Sequence, residues 1–348
     1  MTELNIYSAG RNAHLSMGLT GLMMLQKQGK LSFQIQVDPQ NARKLPYPLI
    51  LIAEAEGKRI GFDYSDGYDS HLEDAVRQCD LYFKRSFSAE KNQFLATDNR
   101  KKMVPLGLHY HVSYPGNVMD KAEGLRGMKE KLWQQVFNGA DRSYFTPERF
   151  EADNAQNHEG TNILFYCRLW DAAQYKTTDP QYYEQVQEIN RERISLVRKL
   201  KEDYPEHFTG GIQYSPLAKK LCPELIVNYR ETQRTNYLKK LHRSDICIGT
   251  TGLHDSIGWK TAEYVAAGKA ILCEPLRYEV PGNFEQNRNY LTFSGAEECM
   301  KQLGRLLAHP DLIRQLQQNN RQYYEEYLRP DRQMERALVS ALGHALWA

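Results

Sequence analysis

Asp245-Ile-Cys-Ile-Gly249-Thr250-Thr251-Gly252-Leu-His-Asp255-Ser-Ile-Gly258-Trp-Lys260-Thr-Ala-Glu263-Tyr-Val-Ala-Ala-Gly268-Lys-Ala270-Ile-Leu-Cys273 is the stretch on which the fold turns. Its opening residues are an apolar run closed by glycine, the pattern of a buried strand. Small residues follow at 249–252. A short helical stretch then runs from Trp259 to Ala267, Gly268 stops it, and Ala270 begins the next apolar strand. Strand, loop, helix and strand make one repeat of a mainly parallel sheet, which takes its ligands beyond the C-terminal ends of the strands. Small residues at 249–252 allow backbone N–H groups to approach a phosphate, and the helix start near Gly258 adds partial positive charge.

The same alternation extends outward. In the second half, strands are expected over residues 162–167, 208–212, 224–227 and 270–273. Val186, Ile189, Ile194, Val197 and Leu200 share a helix face. Further helices are expected over 231–241, 296–307, 312–327 and 333–346. In the first half, strands are expected over 4–8, 32–37 and 48–53, with weaker ones at 81–83 and 103–106. Leu15, Leu19, Leu22 and Met23 recur at helical spacing, with Gly29 as a stop. A helical patch falls at Lys129 to Phe137. Asp153 to Gly160 has the polar composition of a linker. The expected class is therefore α/β with two Rossmann-like domains. The first spans 1–155 and the second 156–330, with a last helix at 331–348.

A chain of 348 residues with 41% hydrophobic and 25% charged residues suits two such cores. The formal net charge of +2 comes without a basic stripe, which argues against nucleic acid as partner. None of the six cysteines forms a C-x-x-C pair, so buried free thiols in a reducing compartment are expected rather than a zinc framework. The first residues lack a signal-peptide pattern, and no apolar run is long enough to span a bilayer. The expectation is a cytoplasmic protein without a transmembrane segment, with peripheral association at the inner face of the membrane left open.

The stretch quoted first resembles the donor-binding signature of retaining GT-B glycosyltransferases. In that signature two acidic residues are separated by seven others, the second on a short helix that ends in small residues and glycine. Asp255 and Glu263 have that separation, although the family's usual first acid is glutamate. Gly258 matches the loop-to-helix glycine, and Ala266-Ala267-Gly268 the helix ending. Cys167-Arg168-Leu169 resembles the family's strand-end Gly-Arg-Leu, with cysteine in place of glycine. The resemblance covers about residues 162–273, and it implies that the last helix, 331–348, is able to cross back to the first domain. It implies that Glu263 accepts from the ribose hydroxyls of a nucleotide, that Asp255 holds the transferred sugar, and that Arg168 binds the donor diphosphate. Lys176 or Lys260 would assist it, beside Thr250, Thr251 and Gly252.

The first half offers acceptor-side candidates. His14, after the first strand, is a candidate base for an acceptor hydroxyl. Asp66, Lys84 and Arg85 lie in segments similar to those of bacterial surface-polysaccharide glycosyltransferases, and they are candidates to line a cleft with His109. His109 and His111 alone are too few for a metal site. The chain contains no D-x-D, the pattern by which the other common glycosyltransferase fold holds a divalent metal. The expectation is a metal-independent, retaining glycosyltransferase with no cofactor beyond its nucleotide-sugar co-substrate, acting on a saccharide or lipid-linked acceptor. The alternatives are a nucleotide-sugar epimerase on the same fold and a binding protein without turnover.

Overall fold

The computed structural model describes residues 1–38, 49–68, 72–120, 145–152 and 161–346. The helical patch at Lys129 to Phe137 and the linker stretch Asp153 to Gly160 lie outside them. The chain forms two compact units. One comprises Met1–Arg149, Arg277–Asn283 and Tyr323–Ala348; the other comprises Phe150–Leu276 and Phe284–Gln322.

The first unit holds a six-stranded sheet ordered β2-β1-β3-β4-β5-β6. Its strands are β1 (Thr2–Ser8), β2 (Leu31–Val37), β3 (Ile50–Ala55), β4 (Lys58–Asp63), β5 (Leu81–Lys84) and β6 (Met103–Pro105). All neighbours run parallel except β3, which is antiparallel to both β1 and β4. β4 is absent from the sequence expectation. It pairs with β3 through a two-residue turn at Glu56-Gly57, both with positive φ (53° and 75°), the geometry that matches the twist of a hairpin.

Helix α1 (Ser16–Lys27) packs on this sheet. The C-terminal helix Pro330–Leu342 packs on α1 in turn, burying Met334, Ala337, Leu338 and Leu342. The approach is close: a Cβ at Gly21 would meet the Pro330 carbonyl oxygen at 2.3 Å. The Thr2 hydroxyl donates to the Leu346 carbonyl at 3.1 Å, which ties β1 to the end of the chain.

The second unit holds a parallel five-stranded sheet ordered β11-β10-β9-β7-β8. Its strands are β7 (Ile163–Cys167), β8 (Phe208–Ile212), β9 (Ile246–Gly249), β10 (Ala270–Cys273) and β11 (Tyr290–Thr292). The 24-residue helix α2 (Pro180–Asp203) follows β7. Asp179 caps its start by accepting from the Tyr182 N–H, and Pro180 occupies a first-turn position that needs no N–H donor.

Next come α3 (Arg234–His242), α4 (Trp259–Ala266), α5 (Gly295–Ala308) and α6 (Pro310–Tyr323). Leu196, Val197 and Leu200 of α2 share a core with Cys299, Leu303 and Leu306 of α5. The strand expected over 224–227 is instead a short 3-10 turn, Pro223–Leu225, followed by a single bridge from Ile226 to Ile212. Pro223 withholds one ladder donor and sets the turn. The helix expected over 231–241 breaks at Gln233, whose ψ of 133° is extended. All six cysteines are free and buried.

Candidate functional site

In the second unit the predicted residues gather at the C-terminal ends of β7 and β9. Arg168, one residue beyond β7, is exposed, and its guanidinium lies 3.8 Å from the centroid of the Trp170 ring. That stacking fixes the plane of a fork suited to phosphate oxygens. Asn190 of α2 pins the loop beneath: its Oδ1 accepts from the Trp170 N–H at 3.0 Å and its Nδ2 donates to the Trp170 carbonyl at 2.9 Å. Lys176 is exposed at the end of the 3-10 turn Ala173–Tyr175.

The loop after β9 differs from the expected open cradle. The Thr251 N–H donates to Glu274 Oε2 at 2.6 Å, and the Gly252 N–H donates to the Ser256 carbonyl at 2.9 Å. Both donors are already used, one by Glu274 beyond β10 and one within the loop, so neither faces a phosphate as it stands. The reason is local: the 3-10 turn Leu253–Asp255 folds the loop back on itself. His254 and Asp255 are both left-handed (φ 58° each), a conformation that costs roughly 1–3 kcal/mol per residue without glycine. The N-terminal turns of α2 hold them there. Gln185 donates to Asp255 Oδ1 at 3.1 Å, and the His254 ring stacks on Tyr182 at 5.1 Å.

Gly258 caps α4 with no side-chain acceptor for the first N–H groups of the helix. Lys260 in the first turn places its ammonium 3.9 Å from the Tyr237 ring centroid, and burial lowers its pKa while Glu263 acts the other way. Glu263 is only 7% exposed. Its Oε2 accepts from the Tyr237 hydroxyl at 2.8 Å, while Arg234 lies 3.7 Å from Oε1. Glu263 is therefore a clamped, inward-facing carboxylate whose Oε1 holds only the long Arg234 contact among the contacts described.

Three partners escaped the sequence reading: Tyr237, Glu274 and Arg193. Arg193 of α2 is 6% exposed. It donates from Nη1 to the Arg168 carbonyl (2.7 Å), from Nε to Thr250 Oγ1 (3.1 Å) and from Nη2 to the Thr251 carbonyl (3.0 Å). A signal existed. Asn190 and Arg193 fall on the stripe of Val186, Val197 and Leu200, and polar residues at core positions of a helix mark a structural or functional demand.

The first unit assembles a second cluster. His14 lies on the 3-10 turn Ala13–Leu15, fixed by its own N–H donating to Asn12 Oδ1 at 2.9 Å. Its ring stacks on that of His109 with centroids 5.9 Å apart, and His109 meets Tyr64 at 5.2 Å. Burial lowers the pKa of His14; Asp66 opposes this and Arg85 adds to it. Burial, then Arg85 and His14, hold His109 well below the ordinary histidine range. Arg85 is 5% exposed and ion-paired with Asp66. His14, His109, Asp66 and Arg85 thus form one neighbourhood.

Lys84 does not line a cleft. It is fully buried, with its ammonium 2.7 Å from Asp63 Oδ2. The cause is register: Asp63 and Lys84 stand directly opposite on β4 and β5, inside the core. Burial alone would raise the Asp63 pKa, but Lys84 and Ser65 outweigh it and hold the carboxyl below its usual range. Among the described residues, no group of three His, Cys, Asp or Glu side chains is placed to hold a metal ion, and no helix is long and apolar enough to cross a membrane.

A family model described as glycosyl transferase-like matches residues 191–338, a span that contains Arg193, Thr250 to Gly252, Asp255, Gly258, Lys260 and Glu263. Arg168 and Lys176 precede the matched span. A search of curated proteins finds no match.

Among solved structures, the chain is similar to the C-terminal domain of LpcC, a group 1 family glycosyl transferase from Francisella tularensis, at 13% identity and a TM-score of 0.34 over 51% of this chain and 95% of that one. It is also similar to a protein described as a UDP-N-acetylglucosamine 2-epimerase from Listeria monocytogenes, at 12% identity and a TM-score of 0.43 over 90% of each chain. A third is sucrose-phosphate synthase from Thermosynechococcus elongatus, at 12% identity and a TM-score of 0.40 over 94% of this chain and 72% of that one. None of these three likenesses assigns a substrate.

Proposed function

We propose that the chain is a nucleotide-sugar-dependent glycosyltransferase whose donor binds at the loops following β7 and β9. The observation that carries this reading is the placement of Arg168, the α4 start and Glu263 around those strand ends, within or beside the glycosyltransferase-like span. Arg168 pairs bidentately with the donor diphosphate and neutralises it as it leaves, with Lys176 or Lys260 as a second cation. Glu263 takes a ribose hydroxyl on Oε1. Asp255 holds the transferred sugar, and the acid pair favours retention of configuration. In the first unit a neutral His14 serves as hydrogen-bond partner or base for an acceptor hydroxyl. The acceptor is a saccharide or lipid-linked saccharide, met in the cytoplasm or at the inner membrane face, and no divalent metal is required.

Thermal unfolding with UDP, GDP, ADP, TDP and CMP tests this. Ligand at a hundredfold over its Kd stabilises the fold by about 2.7 kcal/mol, a shift of a few degrees. One nucleotide is expected to give that shift, and folded Glu263→Ala and Arg168→Ala variants to lose it. No shift with any of the five removes the donor-site reading.

The stacked, neutral His14 and His109 also suit proton chemistry on a sugar ring. An epimerase is therefore the second reading. Stoichiometric release of nucleotide with a glycoside product separates transfer from it.

A further inference from the structure

Arg193 is a buried guanidinium whose three hydrogen bonds all go to neutral oxygens: the carbonyls of Arg168 and Thr251 and the hydroxyl of Thr250. No carboxylate among the described residues forms an ion pair with it. Glu274 attracts it from farther off, and that carboxylate is itself held by the Thr251 N–H. Burying a charge away from water is costly unless its bonds are well formed and something favours its presence. Packing alone does not explain the choice, because an aliphatic residue would fill this place on the stripe of α2 with Val186, Val197 and Leu200.

What the side chain does is geometric. One rigid, planar fork reaches two separate loops, the one after β7 that carries Arg168 and the one after β9 that carries Thr250 and Thr251. Lysine has no such fork. The fork fixes the spacing between the two loops and leaves a positive charge beneath them, where water screens it least.

We infer that Arg193 is the positioning residue of the donor diphosphate site: it joins the loops that follow β7 and β9 and supplies a fixed positive field under them. The inference rests on the donor-site reading above and deepens it. Arg193 does not touch the donor. It acts through the Arg168 main chain and through Thr250 and Thr251. Its effect belongs to the diphosphate and not to the base or ribose, which bind elsewhere on the unit.

The test is isothermal titration of wild type and Arg193→Lys with UDP, GDP, ADP and TDP, and then, for the nucleotide that binds, with its monophosphate and its nucleoside. The expected result is a loss of at least tenfold in diphosphate affinity in the folded variant, a smaller loss for the monophosphate, and no change for the nucleoside. Unchanged diphosphate affinity, or equal loss for nucleoside and diphosphate, overturns the inference while the donor site stands. Wild type that binds none of the four overturns the donor-site reading and this inference with it. Amide hydrogen exchange on wild type gives an answer independent of how the variant folds. The binding nucleotide should protect residues 168–170 and 250–252 together, and protection confined to one of the two loops overturns the coupling.

Discussion

His14 and His109 show how single buried residues set a pH response. Both are held neutral by burial, so their folded pKa values lie below the unfolded 6.5. The unfolded chain then binds more protons than the folded one as pH falls past 6.5, and stability present above that value is lost on acidification. Urea unfolding should give a lower midpoint at pH 5.5 than at pH 7.5, and His109→Phe should narrow the gap; a gap that does not move rejects the assignment. For transfer, a neutral His14 predicts a rate that falls on the acid side of neutrality, and His14→Asn should cost about 10²- to 10⁴-fold in kcat if it acts as base. Wild-type kcat in that variant removes His14 from the chemistry. The acid spacing, Gly258 and Arg168 were legible because they sit in a contiguous pattern. Arg193, Tyr237 and Glu274 were not, because their partners are 23 to 58 positions away in the chain and only the fold brings them together.

At the scale of elements, the β4–β5 pair is held by a salt bridge where apolar contact would be ordinary. Removing one partner of a buried pair leaves the other charge stranded, so Lys84→Met should destabilise the first unit by about 3–5 kcal/mol in urea unfolding. Lys84→Met combined with Asp63→Leu should recover much of that loss; a double variant as unstable as the single rejects this account. The sequence read β1, β2, β7, β9 and β10 well, since each is an apolar or alternating run with a clear stop. It missed β4 because Lys58-Arg-Ile-Gly-Phe-Asp63 carries charge at both ends and Glu56-Gly57 is not one of the strong hairpin pairs. It placed a strand at 224–227 because β propensity is a weak signal next to a proline that sets a turn.

At the scale of the whole molecule, two α/β sheets were legible from alternation alone. The first unit also takes in residues 277–283, an excursion no local pattern announces. A chain ending at Gln322 should lose hydrogen-exchange protection on β1 and α1, because the C-terminal helix covers Leu19 and Leu22 in the shared core, while β7, β9 and β10 keep theirs. Equal loss in both units rejects the division. The closure of β1 by Leu346 has a further consequence for how the protein is made. On the ribosome the first strand emerges hundreds of codons before the helix that seals its layer. Synthesis runs at about 5–20 residues per second, so α1 waits many seconds with its greasy side uncovered. The second unit needs no residue beyond Gln322 and completes first. The order of folding is thus the reverse of the order of translation, and a chaperone that holds nascent chains has its natural target in the opening forty residues.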